Sequence, residues 1–488
     1  MEAMKILILW GYFLLWNPLT QSTQLYPGIK VRITQKGLDY GIQAAMEAIE
    51  VIMKTNGIPD FKGSESLDFL KVDYVDYNFS NIKINMFSFP NISLTPVPET
   101  GIKILTNHGS TNISMGWEIM SPLLKDGGGA TLFLGEIFFS GLGNLSRSDT
   151  GHPSMHLVDC HVQVGHAHIS FSGELSALYN SFAHPMEKPI LKTLNKRLCT
   201  IITDQFEEIN ANISSLEVVT KFGEDVVLDY SLLEPPEITQ SSIDLQLKGT
   251  FYPVENFTDP PFQPDPFTLP ERSDSMLYLG ISEYFFKSAS FAYFTTGAFD
   301  ITLTTKELYK HLIQNPQGIG SLFSQIAELY IMSRPLMVRI LTTEPPVINL
   351  EPNNFTLNIP ASIVMMTKPK NTTEEVIVSM DFMASTSVDL AIFGQRLICS
   401  LSLNRFQLSG PESNRSSIEV LRFENILSSI LHFGVIPLAN ARLQQGFPLP
   451  NPHQISLVNS EIEVHKGFLL ISTDLRYAPL WRKQYFDG

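Results

Sequence analysis

The chain has 488 residues, 44% of them hydrophobic and only 17% charged, with a formal net charge of -15. That length exceeds one ordinary core and predicts at least two domains. The acidity is spread along the chain: residues 24–233 carry 15 Lys and Arg against 23 Asp and Glu, a net of -8, and the remainder from residue 234 carries -7. Capture of nucleic acid or of an anionic surface by overall charge is therefore excluded.

In chain order, residues 1–23 read as a signal peptide. Lys5 gives a basic start, Ile6 to Trp16 an apolar run, and Thr20-Gln21-Ser22-Thr23 a small, polar exit. The apolar run is about half the ~20 residues that a membrane span needs. No later stretch reaches spanning length without charge or proline, so the mature chain is expected to be secreted, extracellular and free of a transmembrane segment. Nine N-x-S/T sequons agree with that route: Asn78, Asn91, Asn112, Asn144, Asn212, Asn256, Asn354, Asn371 and Asn414.

Leu38, Ile42, Ala45, Ile49 and Ile52 recur at steps of four and three and predict an amphipathic helix. Gly57 and Pro59 are expected to end it. Alternating strand-like runs follow, among them Val158 to Phe171. A second long helix is predicted from near Pro189, with Ile190, Leu194, Leu198, Ile202, Phe206 and Ile209 on one face. In an oxidising compartment Cys160 on that strand is expected to pair with Cys199 on that helix. The closed loop of about 40 residues stabilises a fold by roughly 3–4 kcal/mol in the chain-entropy account. Cys399 lies on the apolar side of an alternating run, Leu397 to Leu403, and reads as a buried free thiol.

Residues 234–270 hold Pro235, Pro236, Pro253, Pro260, Pro261, Pro264, Pro266 and Pro270 and read as an inter-domain connection. Within it, Ile243 to Lys248 alternates cleanly and predicts a half-buried strand shared with other elements. The domains are thus expected at 24–233 and 271–488. The second half repeats the order of elements in the first. One helix is predicted on Leu322, Phe323, Ile326, Leu329 and Tyr330, and another on Leu421, Ile426, Leu427, Ile430 and Leu431 with a break near Pro437. A closing strand is expected around Glu461-Ile462-Glu463-Val464.

There is no G-x-S-x-G elbow, H-E-x-x-H, P-loop or dinucleotide fingerprint. His152, His156, His161, His166 and His168 cluster in sequence, and the last two share a strand face. A third ligand at metal spacing is missing, and surface histidines are the expectation. The carboxylate pairs Glu207-Glu208 and Glu224-Asp225 read as solvated charge. The chain is expected to be no enzyme and to need no cofactor or metal.

Several segments share one resemblance. Pro27-Gly28 with Arg32 to Tyr40, Leu247 to Tyr252, Tyr278 to Phe286, Gln445 to Pro450 and Gly467 to Leu470 resemble the bactericidal/permeability-increasing, lipopolysaccharide-binding and lipid transfer protein family. The Cys160/Cys199 spacing also resembles that family's single disulfide. The resemblance covers nearly all of the mature chain. It implies an α+β fold of two elongated barrels, each a twisted antiparallel sheet wrapped on two long helices, joined by a central sheet. It also implies an apolar pocket in each barrel for phospholipid acyl chains. Helix residues Leu38, Ile42, Ala45, Ile49, Leu194, Ile202, Phe206, Ile326 and Leu427 are the expected lipid contacts. An alternative under the same resemblance is an innate-immunity protein that binds bacterial lipopolysaccharide. That role suits a basic tip on the first barrel, whereas Gly116 to Asp126 here carries one Lys against two acids.

Overall fold

The computed structural model describes residues 26–56, 60–67, 72–90, 92–120, 125–181, 183–304, 336–367, 375–409, 424, 427–428, 430–449 and 455–477. The first strand, β1 (Ile29–Thr34), leads directly into helix α1 (Gln35–Asn56). Thr34 closes this junction: its hydroxyl accepts the Gly37 amide at 3.4 Å, the third residue of the helix, as an N-cap does. Gly37 is required there, because a Cβ would come within 2.5 Å of the Met276 carbonyl oxygen.

The first half is one large antiparallel sheet of β2 (Phe61–Leu67), β3 (Val72–Ser88), β4 (Ser93–Val97), β5 (Gly101–Met120), β6 (Lys125–Arg147) and β7 (Pro153–Ser172). The order is β2-β3-β5-β6-β7, with β4 also on β5. Strands of 17 to 23 residues cannot stay flat, so they twist and bend. The bend falls at register breaks where Asn81, His108 and Glu136 adopt positive φ, with His108 Nδ1 and Glu136 Oε2 at 2.8 Å across the sheet. Helices α2 (Ser176–Ser181) and α3 (Ala183–Ser214) then return along β7. The helix thus starts six residues before the expected point near Pro189. Pro185 stands in the first turn, where its missing amide is not needed.

A small sheet of β8 (Val219–Phe222), β9 (Val226–Asp229) and β12 (Thr250–Pro253) follows. Between its members the chain supplies β10 (Glu237–Ile238) and β11 (Ser242–Leu247) to a central sheet. That sheet also takes β13 (Leu277–Ser282), β21 (Ile455–His465) and β22 (Phe468–Tyr477), in the order β10-β11-β1-β13-β22-β21. It therefore joins both ends of the described chain with the proline-rich stretch. The expected closing strand is β21, and one further strand, β22, follows it and is the more deeply buried of the two.

The second half has β14 (Ile301–Thr304), β15 (Leu336–Thr342), β16 (Val347–Glu351), β17 (Asn354–Thr367), β18 (Glu375–Phe393), β19 (Arg396–Ser409) and β20 (Phe447–Pro448). Its order is β14-β15-β17-β18-β19-β20, with β16 on β17. Helix α4 (Glu283–Thr295) was not anticipated from sequence; Phe285, Phe286, Ser288, Ala289, Ser290 and Ala292 are its buried residues. The helix expected over Leu322 to Tyr330 lies outside the described residues, as do Leu421 and Ile426. Leu427 and Ile430 are helical, followed by a wide π turn at Leu431–Val435 and then α5 (Ile436–Leu443). Pro437 thus sits at the start of a helical segment, and the widened turn before it accommodates the missing amide.

The largest cluster of buried residues among those described lies at the junction of the halves. Ile29, Leu279, Ile281, Leu469 and Ile471 of the central sheet pack there with Phe251, Phe285, Phe286 and Phe447. Arg32 fixes the polar side of that sheet, with two nitrogens on the Asp244 carboxylate at 2.6 and 2.9 Å and a third on the Pro270 carbonyl at 3.1 Å.

Candidate functional site: two apolar interiors and their helix seams

The inner face of the first sheet is built by strand alternation. Phe79, Met115, Trp117, Ile119, Ala130, Leu132, Leu134, Ile137, Val164, Ala167, Ile169 and Phe171 share it. Helix α3 lays Ile190, Leu191, Leu194 and Leu198 against them. Trp117 anchors one end: its indole N–H donates to the Gly129 carbonyl at 3.0 Å, and its ring meets Phe171 and Tyr179 edge to face. Many of these side chains, including Phe79, Met115, Leu132, Leu191 and Leu194, keep some accessible surface. The central junction differs, with Phe251, Tyr278 and Leu469 fully enclosed.

The open edge of this sheet, β7, is fastened to the helices by six side-chain ties that run in strict order. Asn180 accepts the Phe171 amide at 2.8 Å and donates to its carbonyl at 2.9 Å. His168 Nδ1 lies 3.0 Å from Glu187. Asn195 accepts from the Val164 amide at 2.8 Å and donates back to its carbonyl at 3.3 Å. Cys160 is bonded to Cys199. His156 Nδ1 lies 3.2 Å from Glu207, and Asn210 accepts the Met155 amide at 2.9 Å. From Asn180 to Asn210 is about 45 Å of helix, and from Phe171 to Met155 about 53 Å of strand, so the tied segments match in length. Each asparagine amide stands in for the residue of a missing neighbouring strand and satisfies the edge.

Among the described residues the second half uses the same device once. Asn440 of α5 accepts the Leu401 amide of β19 at 2.7 Å and donates to its carbonyl at 3.0 Å. Its interior is lined by Leu303, Val338, Ile340, Ala361, Ile363, Met365, Phe382 and Ala384 under Leu427, Ile430 and Leu431. Cys399, two residues from that clamp, is buried and free, and burial pushes its thiol up to about 12.

The expected lipid contacts are thus placed unequally. Leu194 joins the apolar wall under α3, and Ile202 and Phe206 continue along the helix half-buried. Leu38 is buried at the base of α1, Ile42 is half-buried and Ala45 is exposed. Leu427 is wholly enclosed in the second core. The side chain of Ile49 and all of Ile326 lie outside the described residues. Among the expected glycan acceptors, Asn144, Asn212, Asn256 and Asn354 are exposed and Asn78 and Asn112 half-buried, while Asn91, Asn371 and Asn414 lie outside the described residues.

Of the clustered histidines, His156 and His168 are engaged at the seam, whereas His152 bonds Thr150 and His161 meets the Phe138 ring. His184 joins His168 on the Glu187 carboxylate at 2.8 Å. Burial pushes that carboxyl up, but the hydrogen bonds and charges of the two histidines outweigh it and hold it below the usual range. Among the described residues no group of three His, Cys, Asp or Glu could hold a metal ion. At the tip of the β5–β6 hairpin, Lys125 reaches Glu118 at 3.4 Å. No described helix is long and apolar enough to cross a membrane.

Two curled antiparallel half-barrels on a shared central sheet, each with an apolar inner face under a helix, define a lipid-binding type of fold. The N-terminal domain of the LBP / BPI / CETP family matches residues 37–216 and its C-terminal domain residues 220–477. The chain belongs to this family of lipid-binding, lipid-transfer and lipopolysaccharide-binding proteins. It is 66% identical to the human BPI fold-containing family C protein, over 98% of this chain and 94% of that one. It is 26% identical to mouse phospholipid transfer protein, over 97% and 94%. The crystal structure of a lipopolysaccharide binding protein covers 93% of the chain with a TM-score of 0.57 at 22% identity, and that whole chain is matched.

Proposed function

We propose that the chain is a secreted glycoprotein that holds phospholipid acyl chains in its two apolar interiors, and that it is not an enzyme. The observation that carries this reading is the contrast in burial between junction and first half. The inner-face side chains Phe79, Met115, Leu132, Leu191 and Leu194 keep accessible apolar surface beneath a fastened helix. An acyl chain laid against them would gain about 0.8 kcal/mol per buried CH₂. In this reading residues 1–23 are a signal peptide. Residues 24–233 and 271–488 are the two lipid-binding barrels, and residues 234–270 contribute the connection and central strands. Leu194, Ile202 and Phe206 are the wall residues of the first site, and Leu38, Ile42, Ala45 and Ile49 of α1 are assigned to it as well. Leu427 and Ile326 are assigned to the second.

Native mass spectrometry of the full-length secreted protein, followed by lipid extraction, tests the proposal. Bound acyl lipid is expected, and L194E should reduce it. A protein that is lipid-free when gently purified overturns the reading.

Lipopolysaccharide is the second reading, because a structural neighbour is a lipopolysaccharide binding protein. The pairing of Lys125 with Glu118 beside Asp126 weakens charge capture at the tip. Endotoxin binding that falls steeply with salt would favour it, and no binding at low ionic strength would dismiss it.

A further inference from the structure

On the outer face of the first sheet, one row of side chains breaks the pattern of its surroundings. The register sets Met86 of β3 opposite Asn112 of β5, Asn112 opposite Phe133 of β6, and Phe133 opposite His168 of β7. Directly opposed residues share a face. That face is the outer one, since Leu132 and Leu134 beside Phe133 belong to the inner apolar cluster. Met86 is 54% exposed and Phe133 40%, so two large apolar side chains stand in solvent on either side of one asparagine. The rows around them are polar: Ser88 with Ser110 on one side, and Lys83, Ser114, Thr131 and Ser170 on the other. The Phe133 ring lies along its strand over Gly135, where a Cβ would stand 3.0 Å from the ring edge.

Asn112 is itself unusual. Its Oδ1 is enclosed and has no hydrogen-bond partner among the described residues. Asn112-Ile113-Ser114 is a sequon, and the amide nitrogen is the atom that carries an N-linked sugar. We propose that Asn112 carries an N-glycan whose first N-acetylglucosamine lies on Phe133 and Met86, so that the glycan covers this apolar row. An acetylated sugar presents a face of C–H groups, which suits the negative face of a phenyl ring. Opposed Cβ atoms stand about 4.5–5.5 Å apart, which brings both side chains within reach of the first sugar. The glycan therefore acts as part of the surface, and without it the row is an exposed apolar patch.

The proposal rests on the secretory, glycosylated reading above, and its test separates the two. The full-length protein is secreted from mammalian cells and deglycosylated enzymatically in heavy-oxygen water, and occupied asparagines are read by mass spectrometry. Occupancy at Asn112 is expected. Sugar at Asn144 with none at Asn112 overturns this site alone, whereas no sugar at any sequon overturns both readings. S114A, which removes the sequon and keeps the asparagine, should raise apolar-dye fluorescence severalfold and promote self-association. Adding F133S to S114A should return both to the level of the glycosylated protein, while N144Q should leave them unchanged. If unglycosylated S114A matches the parent in dye binding and remains monomeric, the sugar does not cover the row. Vesicle binding or dimerisation gained only by S114A, and lost with F133S, supports the cover by showing what it excludes.

Discussion

The two halves close their sheet edges with one device used to different extents. In the first half, β7 is fastened to α2 and α3 by three asparagine clamps, two histidine–glutamate contacts and a disulfide. In the second half, among the described residues, β19 receives one clamp, from Asn440 to Leu401, and its cysteine stays free. The difference follows where packing is available. The second interior encloses Leu427, Ile430 and Leu431 at 0 to 3% exposure, so hydrophobic burial seats its helix. Under α3 the apolar wall is less fully enclosed, and directional polar and covalent ties hold the helix instead.

The largest expected effect comes from the covalent tie. Cys199→Ser should destabilise the first half by roughly 3–4 kcal/mol, the loop-closure contribution for a ring of this size. Hydrogen exchange should show faster exchange at β7 and α3 with β19 unchanged. An equal loss in both halves would mean that the halves unfold as one unit and that the seam has no local role.

The clamps come next. Asn195→Ala leaves a buried edge amide and carbonyl at Val164 without partners, at a cost of about 1–3 kcal/mol. Asn440→Ala should cost a similar amount at Leu401, where the one other side-chain tie of β19 to this region among the described residues, from Arg396 to the Gln445 and Gly446 carbonyls, lies back at the start of the strand. Exchange protection should therefore collapse along β19 in the one variant and fall only near Val164 in the other. Equal spread of the loss in both variants would remove the distinction between many ties and one.

Those ties mark where sequence reading stopped. The stripe of α1 was legible because a period of 3.6 is local, and so was Ile243 to Lys248, where alternation is clean. The burial of Cys399 followed from alternation in the same way. The clamps were not legible: Asn180, Asn195 and Asn210 sit 15 residues apart, and only their meeting with β7 gives the spacing meaning. Helix α4 was hidden because Tyr284, Phe285, Phe286, Phe291, Tyr293 and Phe294 favour strands by composition, and tertiary burial decides otherwise. Of the wall residues, Leu194 was legible as the inward side of a stripe. Nothing in the same pattern distinguishes it from Leu427, which is fully enclosed, because a stripe records which side faces in and not how completely that side is covered.

Acid should loosen the seam at one point before others. The Glu187 carboxyl is held low by His168 and His184, so its contribution is present above the ordinary glutamate range, near 4.3–4.5. It is lost as pH falls below that range through the lowered folded value. Exchange at the start of α3 should rise as pH falls below the ordinary glutamate range, and Glu187→Gln should remove that step. The second half offers no such contact at Asn440, so β19 should not follow.

The smallest expected effect concerns the free thiol. Burial pushes Cys399 up to about 12, so the native protein should resist alkylation at pH 8 and react only when unfolded. The rate of labelling then measures how often β19 opens, since the thiolate is the reacting form and the enclosed site must first be exposed. Asn440→Ala should accelerate labelling by the factor by which it destabilises the edge, about tenfold per 1.4 kcal/mol. Asn195→Ala should leave the rate unchanged. If both variants accelerated it alike, opening would be shared across the central sheet, and the two seams would have to be read as a single closure.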